Sequence, residues 1–271
     1  MATMATMATT TATAAHVLPA TDVLGFPLDE DKRRCARYKS LVASCEVSDR
    51  QWSAYREKRC RGERCLIRTR ALVSLVSLHG LSETDRPRCW YTWSGAAVLR
   101  KNSKKTYEAI LQDALDSQAD GGADGKQIDL DLPRTFPEHP SFRDAGSDLW
   151  APLERILIAA SSHTTFGYCQ GMNYLAAVVL LVMRSEQEAF WVFVALLRAL
   201  GPYFERRDLR GLKSDLEALQ TETSVRLPRA YSHVKSCGLS DFSLCVPKWL
   251  LCLFVGAVDA PLLLKVWDAF W

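Results

Sequence analysis

Apolar residues recur at helical spacing through most of the second half of the chain, and nowhere do they alternate over the length of a strand. Trp150, Leu153, Ile156, Leu157 and Ala160 fall on one helical face, and the run stops in the polar cluster Ser161, Ser162, His163, Thr164, Thr165. A nearly continuous apolar stretch, Tyr174 to Met183, predicts a buried helix that starts close to Gly167. Residues 189–200 repeat the signature, with Phe190, Val194 and Leu197 on one side and Gly201-Pro202 as the stop signal. Residues 209–219 and 246–255 continue the theme. The fold predicted is all-α.

Upstream the pattern changes. Residues 29–64 are dense in charge, with Leu41, Val42, Trp52 and Tyr55 as isolated apolar points, which suits solvated helices with one weak apolar stripe. Leu72, Leu75, Val76 and Leu78 fit one face of a short helix within 66–78 that halts at Gly80. The string DSQADGGADG, residues 116–125, is rich in glycine and aspartate and predicts an exposed loop between two helical blocks. The opening Met-Ala-Thr repeats predict a disordered low-complexity tail over 1–28. A charged helical segment over 29–70 would then lead into one helical domain over 71–271.

Composition narrows the function classes. With 271 residues and 48% hydrophobic content the chain can bury a substantial core. Its formal charge of +3 lacks the clustered basic excess of a nucleic-acid binder. Nine scattered cysteines, an odd number, point to a reducing, cytoplasmic setting. Cys60 and Cys65 lack a second pair at zinc-like spacing, and no histidine falls near them in a ligand pattern, so no metal site is expected. The start has neither the basic residues nor the apolar run of a secretory signal. The greasiest stretches stop at Arg184 and Asp259, well short of the ~20 apolar residues of a bilayer span.

Four patterns occur in a fixed order. GLSETDRPRCWYTWSGA, residues 80–96, sets a glycine turn before Arg86, Trp90 and the Ser94-Gly95 pair. IDLDLPRT, residues 128–135, contains Ile128, Asp131, Arg134 and Thr135, and Pro133, Pro137 and Pro140 keep the arginine out of a helix interior. GYCQGMN, residues 167–173, contains Tyr168, Gln170, Gly171 and Asn173. VWDAFW, residues 266–271, follows a series of helical segments. Taken singly, Asp131 could orient the Arg134 guanidinium or cap a turn, and its plainest reading is one half of a surface ion pair worth ~0 to 1 kcal/mol. GYCQGMN likewise reads as a glycine-kinked helix start capped by Gln170 or Asn173.

Taken together, the four patterns resemble the TBC domain family of Rab GTPase activators over residues 71–271. The resemblance implies that Arg134 is an arginine finger and Gln170 a glutamine finger, both entering the nucleotide site of a GTP-bound Rab-family GTPase. GTP and magnesium would be carried by the partner. Ile128, Asp131, Thr135, Tyr168, Gly171 and Asn173 would shape the two loops, with Arg86 and Trp90 completing the motif set. Such a protein would work in the cytoplasm and reach endomembranes through its partner.

The chain departs from the family pattern in two places. Leu81-Ser82 stands where Ile-Pro is usual, and the chain stops at Trp271, where further helices are usual, implying an exposed apolar patch at Trp267, Phe270 and Trp271. Two other classes compete. One is a scaffold module that binds a Rab without activating it; the other is a thiol hydrolase using Cys169 with His163, for which no oxyanion motif is visible.

Overall fold

Two apolar helices, Met172–Met183 and Glu186–Ala199, are buried along most of their length and organise everything around them. The computed structural model describes residues 80–119, 123–204, 209–238 and 246–271, and no strand occurs among them. The all-α expectation holds. The expected tail over 1–28, the charged segment over 29–70 and the short helix within 66–78 lie outside the described residues.

In chain order, α1 (Arg86–Trp93), α2 (Ala96–Asn102), α3 (Tyr107–Ala119) and α4 (Ala123–Asp131) run into a single 3₁₀ turn, Leu132–Arg134. Next come α5 (Trp150–His163), α6 (Met172–Met183), α7 (Glu186–Ala199) and the one-turn α8 (Gly201–Phe204). α9 (Arg210–Arg226), α10 (Pro228–Ser236), α11 (Pro247–Leu251) and α12 (Ala260–Phe270) complete the described chain. α6 is apolar on every side, as a helix with neighbours all round must be. It packs against α5 and α7, with α3 and α4 on α5, and α1 and α2 on α7. α7 starts where the Ser185 hydroxyl accepts the Glu188 N–H, and α12 where the Asp259 carboxylate accepts the Leu262 N–H, each satisfying a helix-end donor.

The first and last motifs close on each other. Asp268 of α12 is buried and accepts from the Leu81 N–H at 2.6 Å, Arg86 Nε at 3.0 Å and Trp90 Nε1 at 2.8 Å. Arg86 Nη2 also donates to the Leu81 carbonyl at 2.6 Å. Gly80, at φ +73°, lies so close to α12 that a Cβ would stand 3.0 Å from Lys265 Cγ and 3.2 Å from the Asp268 carboxylate.

Several expectations need correction. Residues 116–125 do not form one exposed loop: α3 runs through Ala119, and α4 already includes Ala123, Asp124 and Gly125. Extending an existing helix costs little per residue, and an acidic residue in the first turn of α4 complements the helix N-terminus. The buried helix starts at Met172 rather than near Gly167, because Gly171 turns the chain at φ +106° immediately before it. Gly201 begins α8 instead of acting as a left-handed stop. Trp267 is fully buried, its ring 5.5 Å from that of Trp90, and Trp271 is half-buried 6.3 Å from the same ring. Of the expected aromatic patch only Phe270 is exposed.

Candidate functional site

The chain leaves α4 through Pro133 into the 3₁₀ turn, where the Thr135 N–H donates to the Leu132 carbonyl at 3.0 Å. Phe136 then adopts φ +50°, an uncommon conformation for a residue with a Cβ, and its ring packs on Phe142 and edge-on against Tyr174. This abrupt change of direction leaves Arg134 exposed at the apex. Its guanidinium has no hydrogen bond or ion pair among the described residues.

Asp131 does not form the surface ion pair that its spacing from Arg134 suggests. It is buried, and its carboxylate accepts the Tyr168 hydroxyl at 2.9 Å and Gln127 Nε2 at 3.3 Å. Burial, then the bond to Asp131, push the Tyr168 phenol far above its usual value, which keeps it protonated and a donor. Ile128, one turn earlier on α4, is fully buried and supports the turn from below.

The second loop, residues 164–171, is held from several directions. The Tyr168 N–H donates to the Asp124 carboxylate at 2.9 Å. The Gly171 N–H donates to Asn173 Oδ1 at 3.1 Å, and Asn173 Nδ2 donates to the Thr135 hydroxyl at 2.7 Å. Thr135 in turn donates to the Asp131 carbonyl at 2.8 Å. The Tyr174 hydroxyl donates to the Arg134 carbonyl at 3.1 Å. A Cβ on Gly171 would stand 3.3 Å from Cys252 Sγ and 3.4 Å from Leu251 Cδ2, in a backbone conformation that already favours glycine. Gln170 itself is exposed.

The structure therefore joins the Arg134 turn and the Gln170 loop through Tyr168–Asp131, Asn173–Thr135 and Tyr174–Arg134, on both sides of each exposed side chain. Buried polar groups satisfied in this way lock the backbone into one arrangement. Arg86 and Trp90 belong instead to the Asp268 clamp and make no hydrogen bond to either loop. Asp124 and Tyr174 are site residues that sequence reasoning missed. Asp124 was hidden in a string with turn composition, and Tyr174 gives no local signal, since its partner lies across the fold.

Other chemistries find less support. His163 packs its ring against Phe190 and Trp191, and burial, followed by the Arg198 charge, lowers its basicity. Cys169 makes no hydrogen bond to His163 among the described contacts, its Sγ lying 3.7 Å from the Gln170 carbonyl, and burial pushes the Cys252 thiol beside Gly171 up to about 11. Among the described residues no cluster of three or more His, Cys, Asp and Glu side chains is placed to hold a metal ion. No helix among them is long and apolar enough to cross a membrane.

Comparison with known proteins points one way. The family model of the Rab-GTPase-TBC domain matches residues 83–271. TBC1 domain family member 2A of Homo sapiens is 35% identical over 193 residues, covering 70% of this chain but 20% of that protein. The chain thus spans about a fifth of that relative's length. Growth hormone-regulated TBC protein 1 of Xenopus laevis is 28% identical over 262 residues, 93% of this chain and 72% of that protein. Among solved structures, the Chlamydomonas flagellar RabGAP TBC domain superposes with a TM-score of 0.74 at 25% identity, covering 93% of this chain and 81% of that one. The Ypt/Rab-GAP domain of Gyp1p shares the fold, with a TM-score of 0.59 at 18% identity over 77% of this chain and 75% of that one.

Proposed function

The chain belongs to the Rab-GTPase-TBC domain family, and from that premise we propose that it accelerates GTP hydrolysis by a Rab-family GTPase, with Arg134 and Gln170 supplied in trans. The partner carries the GTP and its magnesium ion, and this chain contributes no cofactor. It acts in the cytoplasm and meets endomembranes through that partner.

Each side chain suits its task. Negative charge is spread over the phosphate oxygens in the transition state, and a guanidinium is always ionised and presents a planar fork of donors to them. Closure of the interface excludes water and strengthens that interaction where charge develops. A carboxamide can accept from an attacking water through its oxygen and donate to a phosphate oxygen through its nitrogen. It is too weak a base to take the proton, so Gln170 orients the water.

The observation that carries this reading is the pair of side-chain bonds Asn173–Thr135 and Tyr168–Asp131, which tie one loop to the other. Two side chains on rigid, mutually fixed loops lose less entropy on docking than two on mobile ones. The test is phosphate release from a panel of GTP-loaded Rab proteins. Acceleration of at least one member is expected, whereas binding without acceleration across the panel would replace activation by a scaffold role.

A further inference from the structure

α11 lies against the loop that carries Gln170. Its Leu251 side chain and the adjoining Cys252 thiol close on Gly171, beside Gln170. The turn that follows is locked to the rest of the fold, with the Phe254 N–H on the Trp249 carbonyl at 2.7 Å and Trp267 Nε1 on the Leu253 carbonyl at 2.9 Å. From this platform Lys248 extends its ammonium over the Tyr174 ring, 5.5 Å from the centroid. The hydroxyl of the same ring holds the Arg134 carbonyl. On the other side of the lysine, Gly256 at φ +73° leaves room: a Cβ there would stand 3.5 Å from Lys248 Nζ.

We propose that Lys248 is a second cationic contact of this surface, engaging carboxylates on the rim of the partner's nucleotide site; this rests on the proposed function. Three features support the assignment. Lys248 is exposed and forms no ion pair with a carboxylate among the described residues. Its side chain is confined between an aromatic face and a glycine turn, so a long, flexible group has less rotamer freedom to lose on binding. One ring stands between it and the turn that carries Arg134, so both exposed cations add to the positive charge this surface presents to an approaching partner.

Held over the Tyr174 ring, the ammonium is assigned to the rim of the partner's site and Arg134 to the pocket itself. A compact, hydrated charge at a rim acts on encounter and affinity more than on the chemical step. The lysine is therefore a binding residue and not a catalytic one.

The test uses the full chain with the Rab that the parent accelerates most, comparing Lys248→Ala, Lys248→Glu and Lys248→Arg. Lys248→Ala should lower kcat/KM on the order of threefold to tenfold at low salt, leave kcat within about twofold, and converge with the parent as salt is raised. Lys248→Glu should lose more, and Lys248→Arg should recover most of the activity. Thermal melting of each variant separates this from a role in propping Tyr174, which would lower Tm and kcat together and overturn the proposal. Equal kcat/KM for Lys248→Ala and parent at low salt would overturn it too, while leaving the activator reading intact. A parent that accelerates no Rab overturns both.

Discussion

The Tyr168 hydroxyl donates to the buried Asp131 carboxylate at 2.9 Å, linking a residue just before Gln170 to one just before Arg134. Neither residue is exposed: Asp131 ends α4 just ahead of the turn that exposes Arg134, and Tyr168 lies in the loop that exposes Gln170. The pair sets where those side chains stand relative to each other.

Tyr168→Phe keeps the ring and removes the donor, leaving Asp131 with Gln127 alone. Loss of a partner from a buried carboxylate should cost about 1–3 kcal/mol, read as a lower urea midpoint at unchanged slope. Because small misplacements at a reacting centre are costly, the single-turnover hydrolysis rate should fall by up to about 10²-fold. Binding of the GTP-loaded partner should fall much less.

The Arg86–Asp268 pair makes a separate prediction about stability. Arg86→Ala leaves a buried carboxylate with only the Leu81 N–H and the Trp90 indole, and breaking such a pair typically costs about 3–5 kcal/mol. Asp268→Asn keeps the shape but turns an amide NH2 toward N–H donors and leaves the Arg86 charge unpaired, so its loss should be at least as large. Denaturant unfolding of both variants checks the order, and an Arg86→Ala protein as stable as the parent would show that the clamp contributes little.

Glu186 gives a pH dependence. Burial alone would raise its carboxyl, but the bonds from Arg155 and Tyr107 outweigh burial and hold it below the ordinary glutamate value. A depressed folded value means that this contribution is present above the unfolded glutamate pKa of about 4.3, and is lost as pH falls through the folded value. Urea unfolding between about pH 3 and 5 should show a shallower acid-side loss for Glu186→Gln than for the parent. Identical slopes would remove Glu186 from the acid response.

Periodicity located the helices whose apolar faces are strong. In α5 Leu153, Ile156 and Leu157 are buried and Trp150 packs half-buried on the core, and Phe190, Val194 and Leu197 are buried in α7. It failed where local chemistry and long-range partners pull apart. The string around Asp124 has turn composition, yet that carboxylate accepts from the Tyr168 backbone across the fold. Asp131 reads as a surface charge until Tyr168 is seen to cover it. Trp267 was expected at a bare end, yet Trp90 covers it, and only the folded chain brings those two rings together. At the candidate site, Thr135, Tyr168 and Asn173 were legible through family resemblance, whereas Tyr174 and Lys248 were not, because each gains its place from a contact that no short string records.

The measurement that bears most directly on the central claim is single-turnover phosphate release from a GTP-loaded Rab, comparing the parent with Arg134→Ala and with Gln170→Ala. An arginine finger contributes on the order of 10³ to 10⁵ in rate, so Arg134→Ala should lose roughly 4–7 kcal/mol of transition-state stabilisation while still binding the partner. Gln170→Ala should also slow hydrolysis, without the loss of affinity that misfolding would bring. An Arg134→Ala variant that drives hydrolysis as fast as the parent would contradict the account.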